Sequence, residues 1–267
     1  MEIKNKVVVV TGAGNGVGRE LVLTLLSKGA KVAAVDIDEY GLRETFALSG
    51  KNQNVTIHRT DIANREQVED LVGDIITEQG QIDVLINNAG IIQPFLDVDK
   101  IDRAKIDQII NVNLHGTLNM VRAFLPELKK RPEAHLTNIS SMGGFFPVPG
   151  QSIYGASKAA VKLLTEGLYA ELAGTNVGVS VVIPGGIATN IMKNSDLGSS
   201  VADVTDANDK TMKLLLTPKQ AARLIISSVE KNKFRMFIGK DAKLMNVLYK
   251  VSPKLAIRLI GKVLQVK

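Results

Sequence analysis

The sequence predicts an α/β fold: a doubly wound parallel sheet of about seven strands with helices on both faces, plus a basic amphipathic helical extension at the C-terminal end. Three observations carry this. Short apolar runs of strand length recur along the chain with helix-patterned segments between them, the alternation that calls for a parallel sheet covered on both sides. The first run, Val7 to Val10, is apolar at every position, as a strand buried on both faces must be. It passes directly into a glycine-rich turn, Thr11 to Gly18, and then into a helical apolar pattern at Leu21, Val22, Leu25 and Leu26.

Taken in order, Lys6 to Thr11 is the first strand. In TGAGNGVG the pattern T-G-x-x-x-G-x-G is met by Thr11, Gly12, Gly16 and Gly18. The pattern G-x-G-x-x-G fails, because Val17 stands where its third glycine would fall. Strand, glycine turn and helix together offer backbone N–H groups and a helix N-terminus to a phosphate. A turn rich in glycine and nothing more is the blander reading. Gly29 closes the first helix, and Lys31 to Val35 forms the second strand, followed at once by Asp36. An acid there, about 20 residues past the glycines, accepts hydrogen bonds from a ribose 2′-hydroxyl and repels a 2′-phosphate. Neither Asn15 nor Ile37 offers a base to hold a phosphate, which argues for NAD over NADP. A capping aspartate is the alternative.

Val55 to Arg59 is the third strand, followed by Asp61 and a helix over about Arg65 to Glu78. Ile82 to Ile86 is the fourth, running into Asn87-Asn88-Ala89-Gly90. A helix near Ile101 to Lys130 carries Asn113, a poor helix former that competes for backbone hydrogen bonds and so marks a local kink. His135 to Ile139 is the fifth strand, leading to Ser140 and Ser141; Val177 to Ile183 is the sixth, ending in Pro184-Gly185-Gly186; Phe234 to Ile238 is the seventh. Every motif falls just past the C-terminal end of a strand, where open α/β sheets bind ligands. No linker divides the chain, so residues 1–239 read as one domain and 240–267 as the extension. The stretch 190–216 is polar, with Ile191, Met192, Leu197, Val201, Val204 and Met212 interspersed, and is expected to be a lid over a site.

The stretch from Ser141 to Lys158 holds a hydroxyl, the Tyr154 phenol and the Lys158 ammonium. Tyr154 and Lys158 are four residues apart, which on a helix puts them on one face, one turn from each other. The apolar pattern supports helix from about Ser157 on. A free phenol titrates near pH 10, and a neighbouring cation lowers that value. Tyr154 beside Lys158 can therefore serve as a general acid/base, with Ser141 sharing the substrate oxygen. Alone, a Tyr-x-x-x-Lys pair is common and describes a half-exposed tyrosine beside a solvated lysine.

Composition sets outer bounds. The chain has 267 residues, of which 45% are apolar, without repeats or low-complexity runs, so a well-packed core is expected. No apolar run reaches the roughly 18 residues of a membrane span, and no signal peptide is read at the N-terminus. There are no cysteines, which removes disulfides, thiolate catalysis and cysteine metal sites and fits a cytoplasmic protein. His58, His115 and His135 are scattered without metal-ligand spacing, so no metal is expected. The net charge of +6 is accounted for by the extension, where Lys240, Lys243, Lys250, Lys254, Arg258, Lys262 and Lys267 face a single acid, Asp241. The body is neutral, so nucleic acid is not an expected partner.

Taken together, these motifs resemble the short-chain dehydrogenase/reductase family in its single-domain, NAD(P)-dependent branch, over about Asn5 to Gly239. The resemblance implies a Rossmann-like sheet and a hydride exchanged between NAD(H) and an alcohol or ketone. It implies Tyr154 as acid/base, Ser141 polarising the reacting oxygen, and Lys158 lowering the tyrosine pKa and holding the nicotinamide ribose. Asn113 would support a water linking Lys158 to bulk. Gly12, Asn15, Gly16, Val17 and Gly18 would hold the pyrophosphate and adjoining ribose, and Asp61 and Ile62 would flank adenine. Asn88, Ala89 and Gly90 would back the cofactor, with Pro184, Gly185, Ile187 and Thr189 around the carboxamide. A homodimer or homotetramer through the Tyr154 helix is the implied assembly. A cofactor-binding regulatory or scaffold protein without turnover, and an epimerase or dehydratase of the larger related branch, are the competing classes.

Phe95, Ile91 and Ile92, with Phe145, Phe146 and Val148, read either as core or as one wall of an apolar pocket, which leans toward a lipophilic substrate. In the extension, Ser252-Pro253 is a helix start, and Lys254, Arg258 and Lys262 form a basic stripe beside Leu255, Leu259 and Val263. Such a helix docks on its own body or a second subunit, or lies peripherally on an anionic membrane.

Overall fold

The computed structural model describes residues 1–188 and 215–263. Thr189 and nearly all of the expected lid therefore lie outside the described residues, which keep only its last two, Leu215 and Leu216.

Seven strands form one sheet in the order β3-β2-β1-β4-β5-β6-β7, every pair parallel. They are β1 (Val7–Thr11), β2 (Lys31–Asp36), β3 (Val55–Arg59), β4 (Val84–Asn87), β5 (Ala134–Ile139), β6 (Val177–Pro184) and β7 (Arg235–Ile238). β1 is buried throughout because the sheet is covered on both faces. Its alternate residues serve two cores. Val8 and Val10 pack with Leu21, Leu25, Ile225 and Ile226 on one face. Val7 and Val9 pack with Leu71, Ile75, Phe124 and Leu168 on the other. Each fully buried aliphatic side chain contributes about 1.5–3 kcal/mol, so the paired cores fix the strand register. The chain winds outward from β1 through β2 to β3, then returns to place β4 on the other side of β1. The crevice between the C-terminal ends of β1 and β4 is the switch point where such sheets take ligands.

The helices are α1 (Gly16–Ser27), α2 (Glu39–Leu48), α3 (Arg65–Gln79), α4 (Arg103–Ile110), α5 (Thr117–Lys129), α6 (Ser152–Glu171), α7 (Pro218–Glu230), α8 (Lys240–Val251) and α9 (Pro253–Val263). α2 and α7 are additional to the helices read from the sequence, although α7 carries a local start signal. Thr217 begins α7 with a reciprocal capping box to Gln220 and proline in the first turn.

Two boundaries depart from the sequence reading. The expected single helix over 101–130 is divided by a π-helical turn, Asn111–Gly116, between α4 and α5. The Asn113 side chain leaves the helix to bond the Ile91 backbone, which is the competition that made asparagine suspect there. α6 starts at Ser152, five residues before the apolar stripe sets in. Its first turn is held by a side chain from outside: Gln93 Oε1 accepts the N–H groups of Ile153 and Tyr154 at 2.8 and 2.9 Å. α9 begins as expected, with the Ser252 hydroxyl accepting the Leu255 N–H at 3.4 Å.

Candidate active site

A cleft of about 660 Å³ opens at the switch point, within the roughly 300–1,000 Å³ usual for small-molecule sites. Its walls include Gly12, Asn15, Gly16, Val17, Gly18, Asp36, Asp61, Ile62, Asn88, Ala89, Gly90, Ser141, Tyr154, Lys158, Pro184, Gly185 and Ile187. The fold thus brings nearly all the sequence-derived candidates to one place. Asn113 is fully buried behind the wall rather than on it.

One end of the cleft is made of backbone. Gly12 takes φ +68°, and a β-carbon on it would lie 2.9 Å from the Ala89 Cα. A β-carbon on Gly18 would meet the Gly12 carbonyl oxygen at 1.8 Å, so only glycine lets α1 start this close to β1. Asn15 occupies the N-cap of α1 but its side chain makes no capping bond. The first-turn N–H groups of α1 therefore remain available to an anion, with the helix dipole behind them. Asp36 fixes the turn from the side: Oδ2 accepts the Gly14 N–H at 2.8 Å and Oδ1 accepts the Asp38 N–H at 3.0 Å. Burial pushes its carboxyl up from the ordinary value, against those hydrogen bonds, which pull it down. The cation beside this turn is already committed. Arg19 donates to the Gly14 carbonyl, to Thr45 Oγ1 at 3.1 Å and to Glu44 at 2.8 Å.

The other end is made of side chains. The Ser141 hydroxyl accepts the Gly143 N–H at 3.1 Å, which orients it, and both it and the Tyr154 ring border Gly143, where a β-carbon would come within 3.6 and 3.5 Å of them. Tyr154 sits in the first turn of α6, with Lys158 one turn further on. Lys158 is buried, donates to the Ile139 carbonyl at 3.0 Å, and has its pKa lowered to about 8 by burial. Lys158 Nζ and Asn113 Oδ1 both border Gly90, where a β-carbon would come within 3.1 and 3.2 Å of them. Asn113 is fixed by three bonds: Oδ1 accepts the Ile91 N–H at 2.8 Å, and Nδ2 donates to the Ile91 carbonyl and Ser157 Oγ, each at 2.9 Å.

The electrostatics differ from the expectation in one respect. Tyr154 is raised, not lowered: burial of the phenol dominates, and the Ser141 hydrogen bond offsets only part of it. The Lys158 ammonium is turned to the Ile139 carbonyl, so helical spacing alone does not bring its field to bear on the phenol.

Three supporting residues escaped the sequence reading. Thr11 Oγ1 accepts the N–H groups of Asn88 and Ala89, each at 3.0 Å, and so joins the ends of β1 and β4. Asp241, at the start of α8, accepts the Gly186 N–H at 2.6 Å and tethers the loop after β6. Gln93, fully buried, holds the start of α6 and donates to the Gly150 carbonyl at 2.6 Å. Thr11 was visible in the glycine motif. Asp241 and Gln93 act across the fold, at sequence separations of 55 and about 60 residues, and carried no local mark.

A glycine turn joined to a Ser-Tyr-Lys cleft on this sheet defines a dinucleotide-dependent dehydrogenase fold, and comparison with known proteins gives the family. The family model described as short chain dehydrogenase matches residues 6–199, and the chain belongs to that family. SadH of Mycobacterium tuberculosis, whose oxidoreductase designation is provisional, is 37% identical over 262 residues, covering 97% of this chain and 95% of that protein. The 3-oxoacyl-[acyl-carrier-protein] reductase FabG of Thermotoga maritima is 37% identical over 193 residues, covering 71% and 77%. Among solved structures, a short chain dehydrogenase/reductase from Burkholderia phymatum in complex with NAD superposes with a TM-score of 0.80 at 27% identity, covering 100% of this chain and 97% of that one. A Burkholderia cenocepacia family member in complex with NADP also gives 0.80, at 28% identity and 97% and 99% coverage. The chain is thus a Rossmann-like oxidoreductase of this family, whose members hold NAD or NADP.

Proposed function

We propose that this protein interconverts an alcohol and a ketone, lipophilic in character, using NAD(H) in preference to NADP(H). The observation that carries the reading is that Ser141, Tyr154 and Lys158 line one end of a cleft whose other end is the glycine turn at the start of α1.

The residues fit a dinucleotide. The close approach at Gly12 and Gly18 leaves room for a pyrophosphate, and the uncapped first turn of α1 supplies its N–H donors. Asp36 faces the cleft where ribose hydroxyls would be held, and its charge opposes a 2′-phosphate. Arg19, the nearby base, is spent on Glu44 and on backbone carbonyls. Asp61 and Ile62, on the cleft wall, are assigned to flank adenine, and Pro184, Gly185 and Ile187, also on it, to flank the carboxamide; Thr189 is assigned beside them by the resemblance alone. A bound nicotinamide supplies the hydride donor or acceptor.

The chain's own part is to place the substrate oxygen and manage one proton. Ser141 donates to that oxygen while its own oxygen is fixed by the Gly143 N–H. In reduction Tyr154 gives up its phenolic proton to the forming alkoxide; in oxidation its phenolate takes the hydroxyl proton. Burial favours the neutral phenol, the form reduction needs. Lys158, with a pKa lowered to about 8, is largely an ammonium at neutral pH and is assigned to the nicotinamide ribose. Asn113 fixes Ile91, which lines the cleft next to Gly90, and its π-helical turn is assigned to the proton path behind Lys158. Self-association through α6 belongs to the same reading, since Leu163 and Tyr169 are exposed on that helix.

The test is a panel of apolar and polar alcohols and ketones with NAD(H) and NADP(H) side by side, followed by nicotinamide absorbance. Turnover of apolar carbonyls with NADH is expected. Cofactor binding without turnover across the panel would mean a binder, and redox-neutral conversion would mean a different reaction class.

A further inference from the structure

The extension has two unlike sides. On the inner side Ala242 and Ala256 are buried, and the Tyr249 ring meets Phe145 and Phe146 edge-on, with centroids 6.3 and 6.0 Å away. Both phenylalanines follow Ser141 in the chain, so α8 is packed against the segment that follows Ser141. On the outer side Leu244, Val247 and Val251 of α8 are 62, 59 and 78% exposed, and Leu255 and Leu259 of α9 are 49 and 43% exposed. The spacing of the three α8 residues puts them on one face of the helix. Elsewhere among the described residues comparable openness is found at Ile37, Leu48, Val98 and Leu163, which lie apart from one another in the chain.

The outer side is also uniformly basic. Lys243 and Lys250 flank the α8 stripe, Lys254 and Arg258 continue it on α9, and all four are exposed and form no salt bridge among the described residues. The extension's one acid, Asp241, points the other way, onto the Gly186 N–H. We propose that the outer face of α8 and α9 seats on an anionic lipid surface. A second copy meeting this face through a two-fold axis would set cation against cation. Among the described residues none covers it, since its aliphatic side chains are open. Aliphatic side chains framed by lysine and arginine match an interfacial helix lying among acidic headgroups. Among the described residues no helix is long and apolar enough to cross a membrane, so the contact is peripheral.

This goes beyond the oxidoreductase reading and rests on it at one point. Through Tyr249, on its inner side, α8 adjoins the loop after Ser141, so that loop lies one helix away from a lipid phase holding lipophilic alcohols and ketones.

The experiment is co-sedimentation of the full chain with vesicles of phosphatidylcholine alone and with about 30 mol% phosphatidylglycerol, at low and high salt. The expected result is binding to the anionic vesicles, little to the neutral ones, and release by salt. The triple variant K250E/K254E/R258E should bind at least about tenfold more weakly. The variant L244S/V251S should also weaken binding and make it easier to release. Thermal melts and NADH binding check that each variant is folded. Equal binding to both vesicle types, or parent-like binding by the charge-reversed variant, overturns the proposal. So does self-association that these variants abolish in a chain that ignores vesicles, which would make a second copy the occupant. Turnover in solution is scored separately: vesicle binding without turnover removes only the proposed alcohol–ketone activity, and turnover without vesicle binding removes only this proposal.

Discussion

The two ends of the cleft are built from different materials. At the α1 end the working groups are peptide N–H groups, and side chains matter by being absent, as at Gly12 and Gly18. At the α6 end the working groups are a hydroxyl, a phenol and an ammonium, and what matters is how each is aimed by its neighbours. A backbone site is set by shape, so it fails sterically and all at once. A side-chain site is set by orientation and protonation, so its parts fail by different amounts and with different dependence on pH.

That contrast can be broken or sharpened by substitution, beginning with the largest effect. Tyr154→Phe should lower kcat by about 10³-fold or more while the NADH dissociation constant stays within about twofold, measured by single-turnover kinetics and fluorescence titration. A near-native rate would remove the phenol from the chemistry. Gly18→Ala should do the reverse: with its β-carbon driven onto the Gly12 carbonyl, cofactor affinity should fall by about 100-fold or more, and thermal stability should fall with it. Asp36→Ser should narrow the preference for NADH over NADPH by about tenfold, the effect of removing one buried like-charge repulsion, read as the ratio of kcat/KM values. An unchanged ratio would mean that Asp36 serves the Gly14 turn alone.

The smaller effects concern how the side-chain end is held. Lys158 has its pKa lowered from 10.5 to about 8, so between those values the unfolded chain binds the extra proton. Stability from this group therefore rises as pH increases from about 8 toward 10.5. Lys158→Met should remove that rise, and melting curves of the two proteins at pH 7 and pH 10 should differ less at the higher pH. Gln93→Ala should cost about 0.5–2 kcal/mol, as the loss of a helix cap does, and reduce kcat several-fold with little change in cofactor KM. Gln93→Met, which keeps the bulk but not the acceptor for the Ile153 and Tyr154 N–H groups, should be as slow as Gln93→Ala. A near-native rate in Gln93→Met would make Gln93 a packing residue only.

The parts legible in the chain were those that act locally. An unbroken valine run announced β1, glycine spacing announced the turn, and a four-residue interval placed Tyr154 and Lys158 on one helix. The asparagine in the long helix signalled a fault at Asn113, and a π-helical turn is found there. What stayed hidden depends on groups distant in sequence. The true start of α6 is set by Gln93 and not by the helix's own residues, so the apolar stripe placed it five residues late. The direction of the Tyr154 shift depends on how deeply the phenol is covered and on where the ammonium is aimed, neither of which follows from spacing.

The bond from the Asp241 carboxylate to the Gly186 N–H makes the first turn of α8 a rivet in the wall of the cleft, although by sequence it belongs to the tail. A graft that exchanges tails between relatives should therefore be spliced beyond Val251, not at the end of β7. Cut earlier, a chimera would import a stranger's rivet, and any change in its catalysis would be charged to the wrong surface.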